Sequence, residues 1–415
     1  MFDIAAACLV VTALLAYLNH RFVRLPTAIG VMAAALTLSL ILVGLNAWDL
    51  APGWRRYGDA LVNAIDFSTL LMQGMLSILL FAGALHVDLQ ALRVRAGPVA
   101  ALAVLGTFLS TVLVGLTMSW ALPWVGVPLP LIDCLLFGAL IAPTDPIAVM
   151  GILKSAHAPK ELELVIVGES LFNDGVGVVI FVLLLATLNS GHAPDATQAM
   201  MALLREAGGG LAYGLALGAL TLWLLRTVDN YTVEVLLTLA VVTGGYAWAG
   251  RLHISGPLAM VVVGLMVGNQ GRHSAMSVTT RRYLDVFWEM LDEVLNAVLF
   301  VTMGLVIARV PFLPGAGAAV ALAIGVTLAV RTVTVGLPVA MASRWFQLPE
   351  GSWKVLTWGG LRGGISVALA LSLPAGHARD VIVALTYGVV VFSILVQGLT
   401  IGPVTRRAMA GAAAP

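Results

Sequence analysis

The chain has 415 residues, of which 60% are hydrophobic and 10% are charged, with a formal net charge of +1 at pH 7. A soluble domain carries about 25% charged residues, so this composition excludes a soluble protein. The near-neutral charge gives no reason to expect nucleic-acid binding. A bilayer core needs roughly 20 apolar helical residues per crossing, which leaves room for about a dozen crossings. We therefore predict an all-α membrane protein that forms a single unit over residues 1–415.

Apolar stretches separated by polar, proline or glycine residues predict about thirteen transmembrane helices. They cover residues 4–19, 25–46, 66–86, 98–121, 130–152, 161–188, 203–225, 232–250, 254–270, 284–308, 315–342, 352–373 and 381–404. Loops after the odd-numbered helices, with the C-terminal tail, hold fourteen of the 22 lysines and arginines, and the opposite side holds six. The positive-inside rule then places the N-terminus outside and the C-terminus in the cytoplasm.

The fifth predicted helix contains the run Ala142-Pro143-Thr144-Asp145-Pro146. A proline removes a backbone donor and its ring clashes with the preceding turn of a helix. Two prolines around a Thr-Asp pair should therefore unwind this helix inside the membrane. Broken backbone at that depth is tolerated only where protein or a wet cavity satisfies its polar groups.

The sixth predicted helix carries two carboxylates in an apolar stretch, within the run 168–177. Glu169 and Asn173 are one turn apart, as are Ser170 and Asp174, so the two pairs lie on nearby faces. A charge at the bilayer centre costs several kcal/mol, so such residues are read as functional by default. The same stretch contains two small residues that let another helix or broken backbone approach: Gly175 and Gly177.

The start of the tenth predicted helix carries polar residues at helical spacing along one stripe. These residues are Asp285, Glu289, Asp292, Glu293 and Asn296. One interpretation is a funnel, formed by Asp292, Glu293 and Glu289, that concentrates cations at the inner mouth. The other is a solvated or intersubunit polar face, and the sequence does not favour either. Three further acids receive no role: Glu234, Asp66 and Asp133.

The twelfth predicted helix contains Gly359-Gly360-Leu361-Arg362-Gly363-Gly364, in which four glycines around an arginine should loosen the helix. This break lies seven helices after the first, so the two interrupted helices run in opposite directions. Interrupted segments at matching places in two halves are typical of transport sites built from inverted repeats. We therefore predict two inverted six-helix repeats whose discontinuous helices 5 and 12 cross at the midplane. The alternative is a pair of simple packing kinks.

The membrane-embedded charges do not balance. Three acids (Asp145, Glu169 and Asp174) face two bases (Arg331 and Arg362), which leaves one carboxylate without a partner. We hypothesise that Glu169 pairs with Arg362 and that Asp145 pairs with Arg331. Asp174 is then free to take up a proton or a cation in turn.

A hard monovalent cation such as Na+ prefers oxygen ligands. Asp174, Ser170, Thr144 and the freed carbonyls of the broken helix can supply them. The two cysteines, Cys8 and Cys134, lie in apolar runs and are interpreted as core residues, and no cofactor is expected.

These motifs closely resemble those of the NhaP-like sodium/proton antiporters, the bacterial relatives of the animal Na+/H+ exchangers. Residues 142–149 resemble the unwound-helix motif of that family, and residues 168–177 resemble its Gly-Glu-Ser-Leu-Phe-Asn-Asp-Gly signature. Residues 359–363 resemble the arginine motif of its second broken helix. The three motifs occur in order on matching helices, and the resemblance spans essentially the whole chain.

The resemblance implies a homodimer in a bacterial inner membrane that serves sodium transport and pH homeostasis. It also implies two parts in each subunit. The interface domain would cover about residues 1–90 and 203–308, and the six-helix core would cover about residues 96–190 and 315–408.

The resemblance further implies that Asp174 binds a cation and a proton in turn. The predicted cation- and proton-binding residues are Asp174, Ser170, Thr144, Asp145, Glu169 and Asn173, with Arg362 and Arg331 in structural ion pairs. Asn before the key Asp is typical of electroneutral family members, so Asn173 predicts exchange of one Na+, or Li+, for one proton.

Three other activities were considered. A K+/H+ antiporter would use the same architecture, and the sequence does not resolve the size of the ion site. A cation channel would not require a lone titratable carboxylate. A membrane enzyme is disfavoured because there is no His-Glu-x-x-His and no Gly-Lys-Ser/Thr sequence.

Overall fold

The computed structural model describes most of the chain. The described residues are 2–25, 30–31, 33–35, 37–38, 41, 75–145, 149–151, 153, 156, 158–190, 197, 201, 204–307 and 315–410. Most of the second predicted helix, the start of the third and Asp66 lie outside these residues. The regular elements within them are all helical, as predicted.

Fourteen helices carry the described part of the fold. In the first half they are α1 (Phe2–Leu18), α2 (Leu76–Leu85), α3 (Leu89–Val94), α4 (Ala96–Val125), α5 (Leu131–Ile141), α6 (Lys160–Ser190) and α7 (Leu204–Arg226). In the second half they are α8 (Tyr231–Leu252), α9 (Gly256–Gly271), α10 (Val278–Ile307), α11 (Gly317–Met341), α12 (Ser352–Trp358), α13 (Gly364–Leu371) and α14 (His377–Ala410).

Six helices within the described residues are long and apolar enough to cross a membrane: α4, α6, α7, α8, α11 and α14. Shorter apolar helices include α2, α5 and α9. The long predicted helices are therefore confirmed as elements, whereas the total of thirteen crossings stays a prediction.

Local side-chain bonds set several helix starts. Asn230 accepts from the Thr232 and Val233 amides at the start of α8, and Asp88 accepts from the Gln90 and Ala91 amides at the start of α3. Such caps satisfy backbone donors that have no partner within the helix.

Helix α10 begins earlier than the sequence predicts, at Val278 rather than at residue 284. The Ser277 hydroxyl accepts from the Thr280 amide at 3.2 Å and starts the helix before its apolar part. A hydropathy pattern detects only that apolar part, so it places the start too late.

Two hydrophobic clusters group the helices. One holds buried residues of α4, α5, α6, α11, α13 and α14, with Phe137 and Phe181 among the largest. The other joins α2, α7, α8, α9 and α10 around Trp288, whose ring centroid lies 4.6 Å from that of Phe81. The Trp288 indole donates to the Thr238 hydroxyl at 3.2 Å. A third cluster packs α2 and α9 against α6, so the two groups of helices meet along α6.

Cys134 is a free, buried residue of the first cluster, which confirms its interpretation as a core residue. The side chain of Cys8 lies outside the described part of the structure.

Candidate functional site

The first interrupted helix is confirmed. Helix α5 ends at Ile141, and residues 142–145 are not helical. Pro143 has no amide to donate, and the residue before Pro146 is disfavoured in the helical conformation. The carbonyls of Ala142 and Pro143 therefore need donors from elsewhere in the protein.

The second interrupted helix is also confirmed. Helix α12 ends at Trp358 and α13 starts at Gly364, with Gly359 to Gly363 outside either helix. The two breaks touch each other, because the Asp145 amide donates to the Leu361 carbonyl at 2.7 Å. The fold thus brings together two unwound segments that are more than 200 residues apart in sequence.

Arg362 joins the two breaks through its guanidinium. Its Nη1 donates to the carbonyls of Ala142 and Pro143, at 2.8 Å for Pro143. Its own amide donates to the Ser393 hydroxyl of α14 at 2.8 Å. This buried arginine thus supplies the donors that the first broken helix lacks.

Arg331 holds Glu169 in a buried, two-pronged ion pair. Nη1 lies 2.9 Å from Oε1 and Nη2 lies 3.2 Å from Oε2, and Glu169 is only 2% exposed. Nε and Nη2 of Arg331 also donate to the Leu356 carbonyl, at 3.3 and 3.1 Å. Two parallel charge-assisted bonds are the strong form of this contact.

This geometry corrects the predicted pairing. Glu169 pairs with Arg331 and not with Arg362, and Arg331 had been assigned to Asp145. The prediction was wrong because counting charges gives no information on where each side chain reaches along the membrane normal. Helix α11 brings Arg331 alongside α6, whereas Arg362 leaves the second break and points to the first.

The hydroxyls of Thr144 and Ser170 lie 2.9 Å apart. Asn173 Nδ2 donates to Thr144 Oγ1 at 2.9 Å, and Asn173 Oδ1 accepts from the Thr144 amide at 3.3 Å. Two side chains of α6, one turn or less apart, therefore hold the unwound segment in place. The helical spacing predicts Ser170 on the face of Asp174 and Asn173 on a nearby face.

Asp174 is 6% exposed and lines a cavity of about 60 Å³ at the junction of the two breaks. This volume has room for a few water molecules, since one needs roughly 10–15 Å³. Polar side chains of Thr144, Asp145, Ser366 and Asn296 line the same cavity. Within the described part of the chain, no arginine forms an ion pair with Asp174.

The glycines after Asp174 allow close approach, as predicted. A side chain at Gly177 would overlap the ring of Pro143 in the first break, and one at Gly175 would meet Leu258 of α9 at 2.8 Å. Small residues at such positions let backbone and helices pack closely inside a membrane.

The acidic stripe of α10 has two distinct ends. At its start, Asp285 forms an ion pair with Arg272 and lies 4.0 Å from His86. Glu289 and Glu293 are exposed, and Asp292 is partly buried. At the other end, Asn296 is buried in the wall of the Asp174 cavity. The role of Asp292, Glu293 and Glu289 as a cation funnel stays a prediction.

Two of the acids without an assigned role are described by the structure. Glu234 is fully buried between α8 and α10 and accepts from the Thr280 hydroxyl at 3.1 Å. Asp133 is buried in the first turn of α5. Neither lines the Asp174 cavity.

Sequence reasoning did not include three residues that the fold brings to the site. Asn296 was placed on the stripe of α10 but not in the site, and Ser366 and Ser393 were not considered. Asn296 had a detectable signal, since it is an amide deep in an apolar helix. The two serines have no distinguishing pattern, because serine is common in membrane helices.

The structure predicts a specific steric effect at Gly360. A Cβ at this position would overlap the Arg331 side chain, so Gly360→Ala should displace the guanidinium from Glu169. We expect destabilisation of about 1–3 kcal/mol, as for overpacking, measured by thermal unfolding of the purified protein. Gly325→Ala in α11 is the matched control, because a Cβ added there would meet nothing within 4 Å outside its own stretch of helix. Equal stability of the two variants would contradict the ion pair described between Arg331 and Glu169.

Together, the helical fold, the two touching breaks and the buried charges define a membrane protein of the secondary-transporter class. The family model described as sodium/hydrogen exchanger, transmembrane, matches residues 10–407. The chain belongs to this family.

Similar proteins agree with the assignment. The Na(+)/H(+) antiporter NhaP of Pseudomonas aeruginosa is 51% identical, over 99% of this chain and 98% of that protein. The Na(+)/H(+) antiporter NhaH of Halobacillus dabanensis is 35% identical, over 90% of this chain and 91% of that protein. The structure of the sodium proton antiporter MjNhaP1 from Methanocaldococcus jannaschii matches with a TM-score of 0.75 and 18% identity, over 97% of each chain. This last match supports the fold.

Proposed function

We propose that this protein is a Na+/H+ antiporter that exchanges one cation for one proton at Asp174. The observation that carries the proposal is the buried Asp174 carboxylate, which lines a small polar cavity where two unwound segments meet. Two arginines lie nearby, but Arg331 binds Glu169 and Arg362 binds backbone carbonyls. A carboxylate so placed can accept a proton or a cation, and one excludes the other.

Sodium is favoured over potassium because the similar proteins named above are Na(+)/H(+) antiporters. The oxygen atoms near the cavity also suit a hard cation. Asp174 supplies the charge, and Ser170 and Thr144 supply hydroxyls. Glu169 contributes through its ion pair with Arg331. Asn173 contributes by holding Thr144 in place.

Transport would occur by alternating access in a homodimer within a bacterial inner membrane. The core, residues 96–190 and 315–408, would move against the interface domain, residues 1–90 and 203–308. The grouping of the two hydrophobic clusters supports this division. Movement with an empty, charged Asp174 is disfavoured because a bare carboxylate in a low-dielectric region is costly. This penalty couples the movement of the cation to that of the proton. We place the start of α10 on the cytoplasmic side.

The test is proton flux in proteoliposomes of the purified protein, with Na+, Li+ and K+ compared at equal concentration. Sodium-dependent and lithium-dependent flux with little response to K+ is expected. Flux that K+ drives as well as Na+ would identify a K+/H+ antiporter. Large unitary currents without proton coupling would identify a channel.

Exchange of one cation for one proton predicts that the membrane potential has no effect on the final sodium gradient. If each turnover moved one net charge, 100 mV would supply about 2.3 kcal/mol and shift that gradient roughly 50-fold. The measurement clamps the potential with K+ and valinomycin at 0 and −100 mV and compares the gradients reached. A shift near 50-fold would refute electroneutral exchange but not antiport itself.

A further inference from the structure

One wall of the Asp174 cavity has an unusual composition. Helices α2 and α10 form this wall, and α2 contributes only Leu76, Leu79, Leu80 and Gly83. Asn296 of α10 is the one polar side chain that these two helices bring to the cavity within the described residues. Asn296 therefore brings a hydrogen-bonding side chain to a wall that α2 leaves apolar.

The orientation of the Asn296 amide follows from its hydrogen bond. Its Nδ2 donates to the Asp292 carbonyl, one turn earlier on α10, at 3.0 Å. A carbonyl can only accept, so the nitrogen and oxygen of the amide are assigned by this contact. The oxygen Oδ1 is therefore the atom left for other partners. Asn296 itself is 4% exposed, which makes the cavity the place where that oxygen can meet an ion.

The Thr144 and Ser170 hydroxyls on the Asp174 side are partly engaged in hydrogen bonds. Thr144 Oγ1 accepts from Asn173 and is hydrogen-bonded to Ser170 Oγ. A hydroxyl has two acceptor lone pairs, so Thr144 keeps at most one for a cation. A desolvated sodium ion there needs further oxygen ligands, and Asn296 offers one without adding a charge.

We propose that Oδ1 of Asn296 is a ligand of the transported cation, supplied by α10 from the wall that it forms with α2, only while the site faces the side on which α10 begins. This inference rests on the proposed function. Asn296 is on α10, whose Leu284 and Trp288 join the cluster that includes α2, whereas Asp174 and Thr144 belong to α6 and the first break. If these groups move relative to each other, the amide reaches the ion in one orientation and not in the other.

The proposal explains two features together. An amide adds no titratable group to a cavity that Asp174 and Asp145 already line, so it leaves the exchange at one cation for one proton. Asn296 also ends the stripe that begins at Asp285, so an ion that passes along the stripe meets the amide last.

The experiment measures the apparent KM for Na+ from each side of the membrane, in inside-out and right-side-out vesicles that contain the full-length protein. Asn296→Leu removes the oxygen and keeps a bulky side chain. With one oxygen ligand lost, we expect KM to rise on the order of tenfold, which corresponds to about 1.4 kcal/mol, from the side on which α10 begins. From the other side KM should stay unchanged, and the maximal rate should be similar from both.

Three further variants sharpen the comparison. Asn296→Ala should raise the apparent KM for Na+ from the same side only. This variant provides the test if Asn296→Leu does not fold. Asn296→Asp keeps an oxygen at the same place, so its KM should not rise. Leu295→Ala, a neighbouring position on α10 that does not line the cavity, should leave KM unchanged on both sides.

Unchanged KM from both sides in Asn296→Leu and Asn296→Ala would overturn the proposal, and so would an equal rise from both sides. A rise in Asn296→Asp as large as that in Asn296→Leu would also overturn it. These outcomes are distinct from failure of the proposed function, in which the unmodified protein itself would show no sodium-dependent proton flux.

Discussion

Replacing Asp174 with Asn is expected to reduce sodium-dependent proton flux in proteoliposomes to the level of empty liposomes. The amide can neither release a proton nor balance the charge of a bound cation, and Asp174 is the carboxylate that α6 brings to the cavity beside Asp145 of the first break. The protein should still fold, because within the described residues the substitution breaks no ion pair. Size-exclusion chromatography and thermal unfolding would check this second point.

The matched control for Asp174→Asn is Asp133→Asn. Asp133 is also a buried acid, in the first turn of α5, but it does not line the cavity. Its replacement should retain exchange and cost at most about 1 kcal/mol, through the lost interaction with the helix dipole. Sustained sodium-dependent flux in Asp174→Asn, at a rate like that of the control, would end the proposal that Asp174 carries both ions.

Glu169→Gln is expected to lower the free energy of unfolding by about 3–5 kcal/mol, because it leaves the buried Arg331 guanidinium without its counter-charge. The bidentate contact between the two residues is the reason for this size. Chemical unfolding of the purified protein, followed by tryptophan fluorescence, would measure it.

A double-mutant cycle identifies the partner. Glu169→Gln combined with Arg331→Met should be more stable than Glu169→Gln alone, since no unpaired charge remains. Recovery should be incomplete, because the Leu356 carbonyl also loses its donor. Glu169→Gln combined with Arg362→Met should recover less stability than the combination with Arg331→Met, because Arg362 makes no hydrogen bond to Glu169 within the described residues. Recovery with Arg362→Met and none with Arg331→Met would instead support the pairing inferred from sequence.

Much of the fold and of the site was accessible from the sequence, because the signals are local. The prolines of 142–146 and the glycines of 359–364 interrupt their helices regardless of what surrounds them. Helical spacing in α6 placed Ser170 with Asp174 and Asn173 with Glu169 on nearby faces. The stretches that cross the membrane follow from apolar length alone.

The site residues outside these signals required the packing of distant helices. Asn296 lies more than 120 residues after Asp174 in the chain, and only the approach of α10 brings it to the same cavity. The Leu356 carbonyl has no sequence signature at all. Its role depends on where α12 ends and on which guanidinium reaches that end.

By itself, the sequence determined a helical membrane protein with two breaks and a lone acid among buried charges. These features follow from local effects: the missing amide of proline, the period of the helix and the cost of burying a charge each act within a few residues. Only the tertiary structure decided that Arg331 holds Glu169 while Arg362 joins the breaks. The sign of a charge can be read from a sequence, whereas the choice between two equal partners depends on distances of a few ångströms set by helix packing.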